Sequence, residues 1–204
     1  MDHEWETLSG TDVTAAARSL LGCRLASGGV EVRLTEVEAY GGVGEDPPSH
    51  SYRGRTPRNV VMFGPAGFLY VYFTYGMHWC LNVVTGPDGA PSAVLLRAGE
   101  VVEGLGAARE RRRGRAGAVP VDRDLARGPA RLAAALGLDG TASGTPLLDG
   151  LGPAHLRPAA APADPALIRS GPRVGVSTGA DTPWRFWLAG EPSVSPYRRQ
   201  PPRR

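Results

Sequence analysis

The run Gly67–Tyr75, GFLYVYFTY, constrains the fold more than any other stretch. From Phe68 onward it is almost wholly aromatic, aliphatic or β-branched, and such side chains suit the pleated surface of a sheet. Alternation puts Phe68, Tyr70 and Tyr72 on one face and Leu69, Val71 and Phe73 on the other. Gly76 permits a tight turn, and Trp79–Val84 returns as the partner strand. Tyr75 then falls at or near the hairpin tip, where an aromatic ring has little core to bury in. On the return strand Asn82 shares a face with Cys80 and Val84. Asparagine is depleted in strand interiors, so a buried Asn82 needs a partner for its amide.

A second strand, Val30–Tyr40, pairs with Cys23–Leu25 around the turn at Ser27-Gly28-Gly29. Its alternation groups Thr35, Val37 and Ala39 on one face and Glu36, Glu38 and Tyr40 on the other. Two carboxylates and a phenol on one face are odd for a core; the ordinary alternative is a solvated strand face. From Gly41 to Asn59 the chain is rich in glycine, proline and arginine, a length of loop that is usually functional or disordered. Arg53, Arg55, Thr56, Arg58 and Asn59 offer donors for phosphate oxygens. A plain solvated loop is the alternative.

Around these segments the sequence predicts scaffold. Thr11 or Ser9 caps a helix of body VTAAARSLL that ends at Gly22. Ser92–Ala98 reads as an apolar strand with Arg97 at its end, and Val102–Arg113 as helical. The run ARERRRGR is either a nucleic-acid patch or a wet surface. Asp122 or Asp124 caps a helix through LARGPARLAAALGL, broken or begun near Gly128-Pro129. Residues 139–165 look like a long surface excursion, and Arg173–Val176 and Trp184–Ala189 like closing strands. The tail, PYRRQPPRR, reads as disordered. Helices and strands are mixed, with no internal repeat and no clear domain boundary. Residues 1–194 form one domain and residues 195–204 a basic tail.

The totals agree with one compact domain: 204 residues, 42% hydrophobic and 21% charged. A net charge of +3 makes an anionic partner plausible without proving one. All 23 cationic side chains are arginine, so no side chain can form a Schiff base and only the N-terminal amine could. Cys23, Cys80 and the four scattered histidines show no zinc-ligand spacing. Reduced thiols and a cytoplasmic setting are expected, with an acidic, polar N-terminus unlike a secretory signal and no membrane partner.

Chemistry concentrates between Thr35 and Asn82. A carboxylate such as Glu38, beside tyrosines in a partly dry cleft, can hold a water and take its proton. Sugar hydrolases usually need a second carboxyl group as acid. Glu36 is the nominal second, but side-by-side placement on one strand does not flank a scissile bond. One base therefore acts on a leaving group that departs without much help, and an alkylated purine with ring charge fits. Tyr40, Tyr72 and His50 would attract a flat cation at about 0.5–2 kcal/mol per contact. A base inside a duplex must be rotated out to be reached, and an exposed Tyr75 could fill the vacated stack.

The segments EVEAYGG, SHSYRGRTPRN, MFGPAGFLYVYFTYGMHWCLNVV, VLLRAGE, RGPARLAAALGL and RVGVS resemble the 3-methyladenine DNA glycosylases of the alkyladenine type. The resemblance runs from about Thr11 to Val194, with the motifs in the family's order. It implies that Glu38 activates water, that Tyr40, His50 and Tyr72 contact the flipped base, and that Tyr75 intercalates. It further implies that Asn82 crowds the purine N2 amino group and that Arg97 helps place the water and the adjacent phosphate. The implied fold is a single mixed α/β (α+β) domain around a curved antiparallel sheet with flanking helices and a protruding hairpin. No metal or organic cofactor is implied, and the partner is double-stranded DNA bearing alkylated bases; a monomer is the default expectation. Two departures stand out: Pro47-Pro48 in a longer connection from Tyr40 to His50, and His78 where the vertebrate form has an aromatic residue. Rival readings are a non-catalytic nucleic-acid-binding module and a small-molecule nucleoside hydrolase.

Overall fold

The path of one antiparallel sheet explains where everything else lies. The computed structural model describes residues 5–114 and 117–197. Its strands are β1 (Arg24–Ser27), β2 (Val30–Tyr40), β3 (Leu69–Thr74), β4 (His78–Thr85), β5 (Ser92–Glu103), β6 (Ala154–Arg157), β7 (Ile168–Gly171) and β8 (Arg185–Leu188). They run in the order β3-β4-β5-β2-β1-β6, with β8 on β2 and β7 on β8. β5 covers one edge of β2 from Glu31 to Tyr40. The other edge is shared: β1 takes Val30–Arg33 and β8 takes Glu36–Glu38. The sheet therefore forks beside Thr35, and the fork curls it. The helices are α1 (Glu6–Ser9), α2 (Val13–Ser19), α3 (Leu105–Arg111) and α4 (Pro129–Leu136). The result is an α+β fold, as the sequence implies.

Alternation divides the two faces of this sheet. Val37, Ala39, Leu69, Val71, Leu81, Val83, Val94 and Leu96 point to one side and are buried in the main core with α2 and α4. Ala16 and Ala17 of α2 and Leu132, Ala133, Ala135 and Leu136 of α4 close it. Each buried leucine or valine there contributes about 1.5–3 kcal/mol. The opposite face carries Glu36, Glu38, Tyr40, Tyr70, Tyr72, Cys80 and Asn82, and it is the polar face of the sheet.

Paired β-bulges interrupt the ladder between β2 and β5. Leu34 pairs with Gly99, Glu36 with Ala98 and Val37 with Leu96. Thr35 is thus the extra residue on β2 and Arg97 the extra residue on β5, and the second bulge restores the register lost at the first. Arg97, two residues from Leu95 and so on the same face, meets Glu36 and Glu38. Gly99, next along, has no room for a side chain, since a Cβ would lie 2.4 Å from the Arg33 carbonyl oxygen.

Several sequence expectations need correction. α2 is capped by Asp12, not Thr11 or Ser9: its Oδ1 accepts from the Thr14 and Ala15 amides at 2.8 and 3.1 Å. The first strand starts at Arg24 rather than Cys23. β5 continues to Glu103, so Arg97 lies in mid-strand rather than at its end, and residues 102–103 are strand, not helix. The long excursion contains β6, a short edge strand on β1 whose Ala154 and Leu156 are buried. Arg173–Val176 is loop; β8 instead pairs with β7, which ends just before Pro172. The expected tail is also anchored at its start, for Ser193 and Ser195 are buried. Residues 198–204 lie outside the described residues. No helix among the described residues is long and apolar enough to cross a membrane.

Candidate active site

The polar face of the sheet floors a cleft of about 360 Å³. Cross-strand pairing lines its residues up: Tyr72 opposite Cys80, then Tyr70 opposite Asn82, Asn82 opposite Leu95, and Leu95 opposite Glu38. Tyr40 follows, opposite Ala93. The walls come from elsewhere: Pro48, His50 and Arg58 from the loop after β2, Thr74, Tyr75 and His78 from the β3–β4 hairpin, Pro129 and Ala130 from the start of α4, and Val174–Val176 from the loop after β7. Tyr40, His50, Tyr72, Asn82 and Arg97, all expected here from sequence, share this one cavity. Among the described residues no group of three His, Cys, Asp or Glu side chains is placed to hold a metal ion.

Glu38 lies directly behind the wall and is fully buried, but not under hydrocarbon. The Tyr40 hydroxyl donates to Oε2 at 2.9 Å and the Val174 amide donates to Oε1 at 2.7 Å. Arg97 Nη1 stands 3.3 Å from Oε1. All three partners line the cavity, while Glu38 itself does not. Glu36 is equally buried and differs in kind. It is held by Arg97, Arg185 and Ser195, and of these three only Arg97 lines the cavity. Burial opposes its charge, yet the two guanidiniums hold its pKa below the ordinary value.

The remaining groups are weak acids or neutral. Burial and then Glu38 push the Tyr40 phenol far above its usual range. Burial pushes Tyr70 up to about 12 and raises Tyr72 further. His50 is driven down to about 4, by desolvation first and then by the Arg58 guanidinium, so it is neutral at pH 7. Its Nδ1 is 2.9 Å from the Tyr70 hydroxyl, and its ring stands edge-on to Tyr72 at 4.5 Å. Arg97 keeps its proton firmly: burial opposes the charge, and Glu38 and Glu36 more than compensate.

Two residues that the sequence reading did not single out hold the walls. Arg173 is fully buried and makes a two-pronged ion pair with Asp46 at 2.7 and 2.8 Å. It also donates to the Ala39 carbonyl and stacks on the Tyr40 ring at 4.7 Å. Asp46 in turn accepts from the Gly41 amide. This clamp ties both loops to the end of β2 and backs Tyr40. No local pattern in the sequence announces it.

The loop donors divide. Asn59, expected as a phosphate donor, is buried; its amide donates to the His50 and Gly54 carbonyls and accepts from the Thr56 amide. It braces the loop instead. Arg53, Arg55, Thr56 and Arg58 are exposed, with Arg58 over the Tyr72 ring at 5.7 Å. Asn82, as anticipated, finds a partner, donating to the Tyr70 carbonyl at 3.0 Å. The basic run near α3 has internal partners: Arg109 grips Asp122, Arg113 pairs with Glu110, and Arg111 and Arg112 donate to backbone carbonyls.

Tyr75 stands at the hairpin tip, 74% exposed. It is the sole non-glycine residue among those described with positive φ, at 51°. With Gly76 at 65° it makes the turn closed by the Met77 amide and the Thr74 carbonyl. A side chain in this conformation costs about 1–2 kcal/mol, which glycine would avoid. Phe73 and Met77 are exposed beside it.

Residues 7–192 match the family model for Methylpurine-DNA glycosylase. Relatives carry the provisional name 3-methyladenine DNA glycosylase. One from Nocardia farcinica is 59% identical over 93% of this chain and 89% of its own. One from Frankia casuarinae is 52% identical over 94% and 91%. One from Mycobacterium tuberculosis is 50% identical over 92% and 91%. With a match of this extent, the chain belongs to the methylpurine-DNA glycosylase family.

Proposed function

We propose that this chain rotates an alkylated purine out of duplex DNA into the cleft and hydrolyses its N-glycosidic bond. The observation that carries the reading is the juxtaposition of an aromatic cleft over Glu38 with an exposed, backbone-strained tyrosine at its mouth. In this scheme Tyr40, Tyr72 and His50 hold the base by its π faces and edge. Glu38 takes a proton from the attacking water as the sugar gains oxocarbenium character. Arg97 steadies that carboxylate and the water. Asn82, fixed by the Tyr70 carbonyl, narrows the floor against a purine N2 amino group.

The substrate class follows from the acid–base inventory. A neutral histidine and phenols with raised pKa values leave no strong acid among these groups to protonate a departing base. Purines that already carry positive charge through alkylation leave without such help. With no lysine in the chain, the backbone of the DNA stays uncut and the product is an abasic site. The protein acts as a monomer in the cytoplasm, on the nucleoid.

Two outcomes check the DNA grip. Tyr75→Gly should relieve the strained φ and leave stability unchanged or higher. It should nonetheless weaken lesion-duplex binding about fivefold to a hundredfold, from about 1–3 kcal/mol of lost stacking. Equal affinity in a fluorescence titration would remove the wedge role. Affinity should also fall steeply with salt, with a log–log slope of about −0.9 per phosphate neutralised by Arg53, Arg55, Arg58 and their neighbours. A flat response would speak against backbone contacts.

A further inference from the structure

We infer that the segment Ser193–Ser195 is a strap that completes the active site by holding Arg97 against Glu38, with Glu36 and Ser195 as positioning residues. The inference rests on the reading of the cleft given above. Arg97 is anchored through two of its nitrogens: Nε donates to Glu36 Oε1 at 2.9 Å and Nη2 to Ser195 Oγ at 3.3 Å. A guanidinium is planar, so fixing Nε and Nη2 fixes the direction of Nη1, and Nη1 is the atom facing Glu38.

Ser195 meets Glu36 twice, through its amide to Oε2 at 2.7 Å and its hydroxyl to Oε1 at 2.9 Å. The hydroxyl thus donates its one proton to Glu36 while accepting from Arg97. Arg185 closes the cluster, donating to Glu36 at 2.6 Å and to the Ser195 carbonyl at 2.9 Å. The strap itself is tied at two further points. Ser193 Oγ is 2.9 Å from Thr35 Oγ1, and Arg127 donates to the Val194 carbonyl at 2.8 Å. Thr35 and Arg97 are the two bulge residues, so the strap engages both irregular positions in the β2–β5 ladder.

A buried charge cluster is a poor source of stability, because packed apolar residues would serve as well or better. Two carboxylates and two guanidiniums meet here, and one corner of the cluster reaches the cleft. That arrangement makes sense if its product is the placement of Nη1. Misplacement by about 1 Å at a reacting centre can cost a hundredfold in rate.

The test compares wild type, Ser195→Ala, Ser195→Thr and Arg127→Gln on a duplex with a single alkylated purine. Single-turnover excision, lesion-duplex affinity and thermal melting are measured on each, the rates at a temperature where every variant is folded. Ser195→Ala should slow excision about tenfold to a hundredfold, with affinity within about twofold of wild type. Ser195→Thr, which keeps the hydroxyl, should recover most of the rate. Arg127→Gln, which loosens the strap without touching the cluster, should slow excision in the same direction. If the variants melt earlier but cut at the wild-type rate, the strap is only structural and the inference fails. If wild type itself releases no base, the functional reading fails and takes this inference with it.

Discussion

Glu38→Gln should lose excision by about two to four orders of magnitude, the usual worth of a positioned general base, while still binding lesion-containing duplex. The amide is nearly the shape of the carboxylate and keeps an oxygen for the Val174 amide, so the loop after β7 should hold its place. What disappears is the capacity to accept a proton from water. Quantifying released base in a single turnover, beside a binding titration, separates the two effects. Wild-type turnover by this variant would transfer the role elsewhere. Loss of both binding and melting temperature would mean that Glu38 is chiefly a structural anchor for Tyr40, Arg97 and Val174.

Glu36→Gln should cost stability rather than binding. Removing the charge leaves Arg97 and Arg185 buried without their shared counter-ion, and breaking such a cluster costs about 3–5 kcal/mol. For a chain of this length that lowers the melting temperature by on the order of 10 °C. The effect has a pH signature. The folded-state pKa of Glu36 lies below its ordinary value of 4.5, so its contribution is fully present above that pH. As pH falls below 4.5 and through the depressed folded pKa, wild type takes up a proton at this site and loses the advantage. The gap between wild type and variant should therefore be widest at neutral pH and close in acid. A gap that is absent at neutral pH, or that grows in acid, would contradict the charge assignment.

These two neighbours on one strand face show how far the residues could be read before the fold was seen. Alternation alone placed Glu36, Glu38 and Tyr40 together, and placed Tyr70 and Tyr72 opposite Leu69 and Val71. Both divisions hold because a strand has a period of two and a buried face enforces register. The hairpin tip was legible from Gly76, and the need of Asn82 for a partner from its chemistry. What distinguishes Glu36 from Glu38 was not legible. Its partners, Arg97, Arg185 and Ser195, are 61, 149 and 159 residues away, and no local pattern records such a meeting.

The same reason hides the clamp behind Tyr40, where Arg173 and Asp46 are 127 residues apart. The bulge at Arg97 was hidden for another reason: a single unpaired residue in a ladder changes no composition and leaves no pattern in its own strand. The edge strand β6 was missed because four residues among prolines and alanines carry too little periodicity. Asn59 was misassigned because a loop amide offers the same donors to a phosphate as to its own backbone.

The most direct measurement is excision of free base by the wild-type chain from a duplex carrying one 3-methylated adenine, beside the undamaged duplex and the free nucleoside. The account predicts that the damaged base is released and the strand stays unbroken until alkali cleaves the abasic site. It predicts no comparable release from the other two substrates. Binding of the damaged duplex without base release, or equal turnover of the free nucleoside, would contradict it.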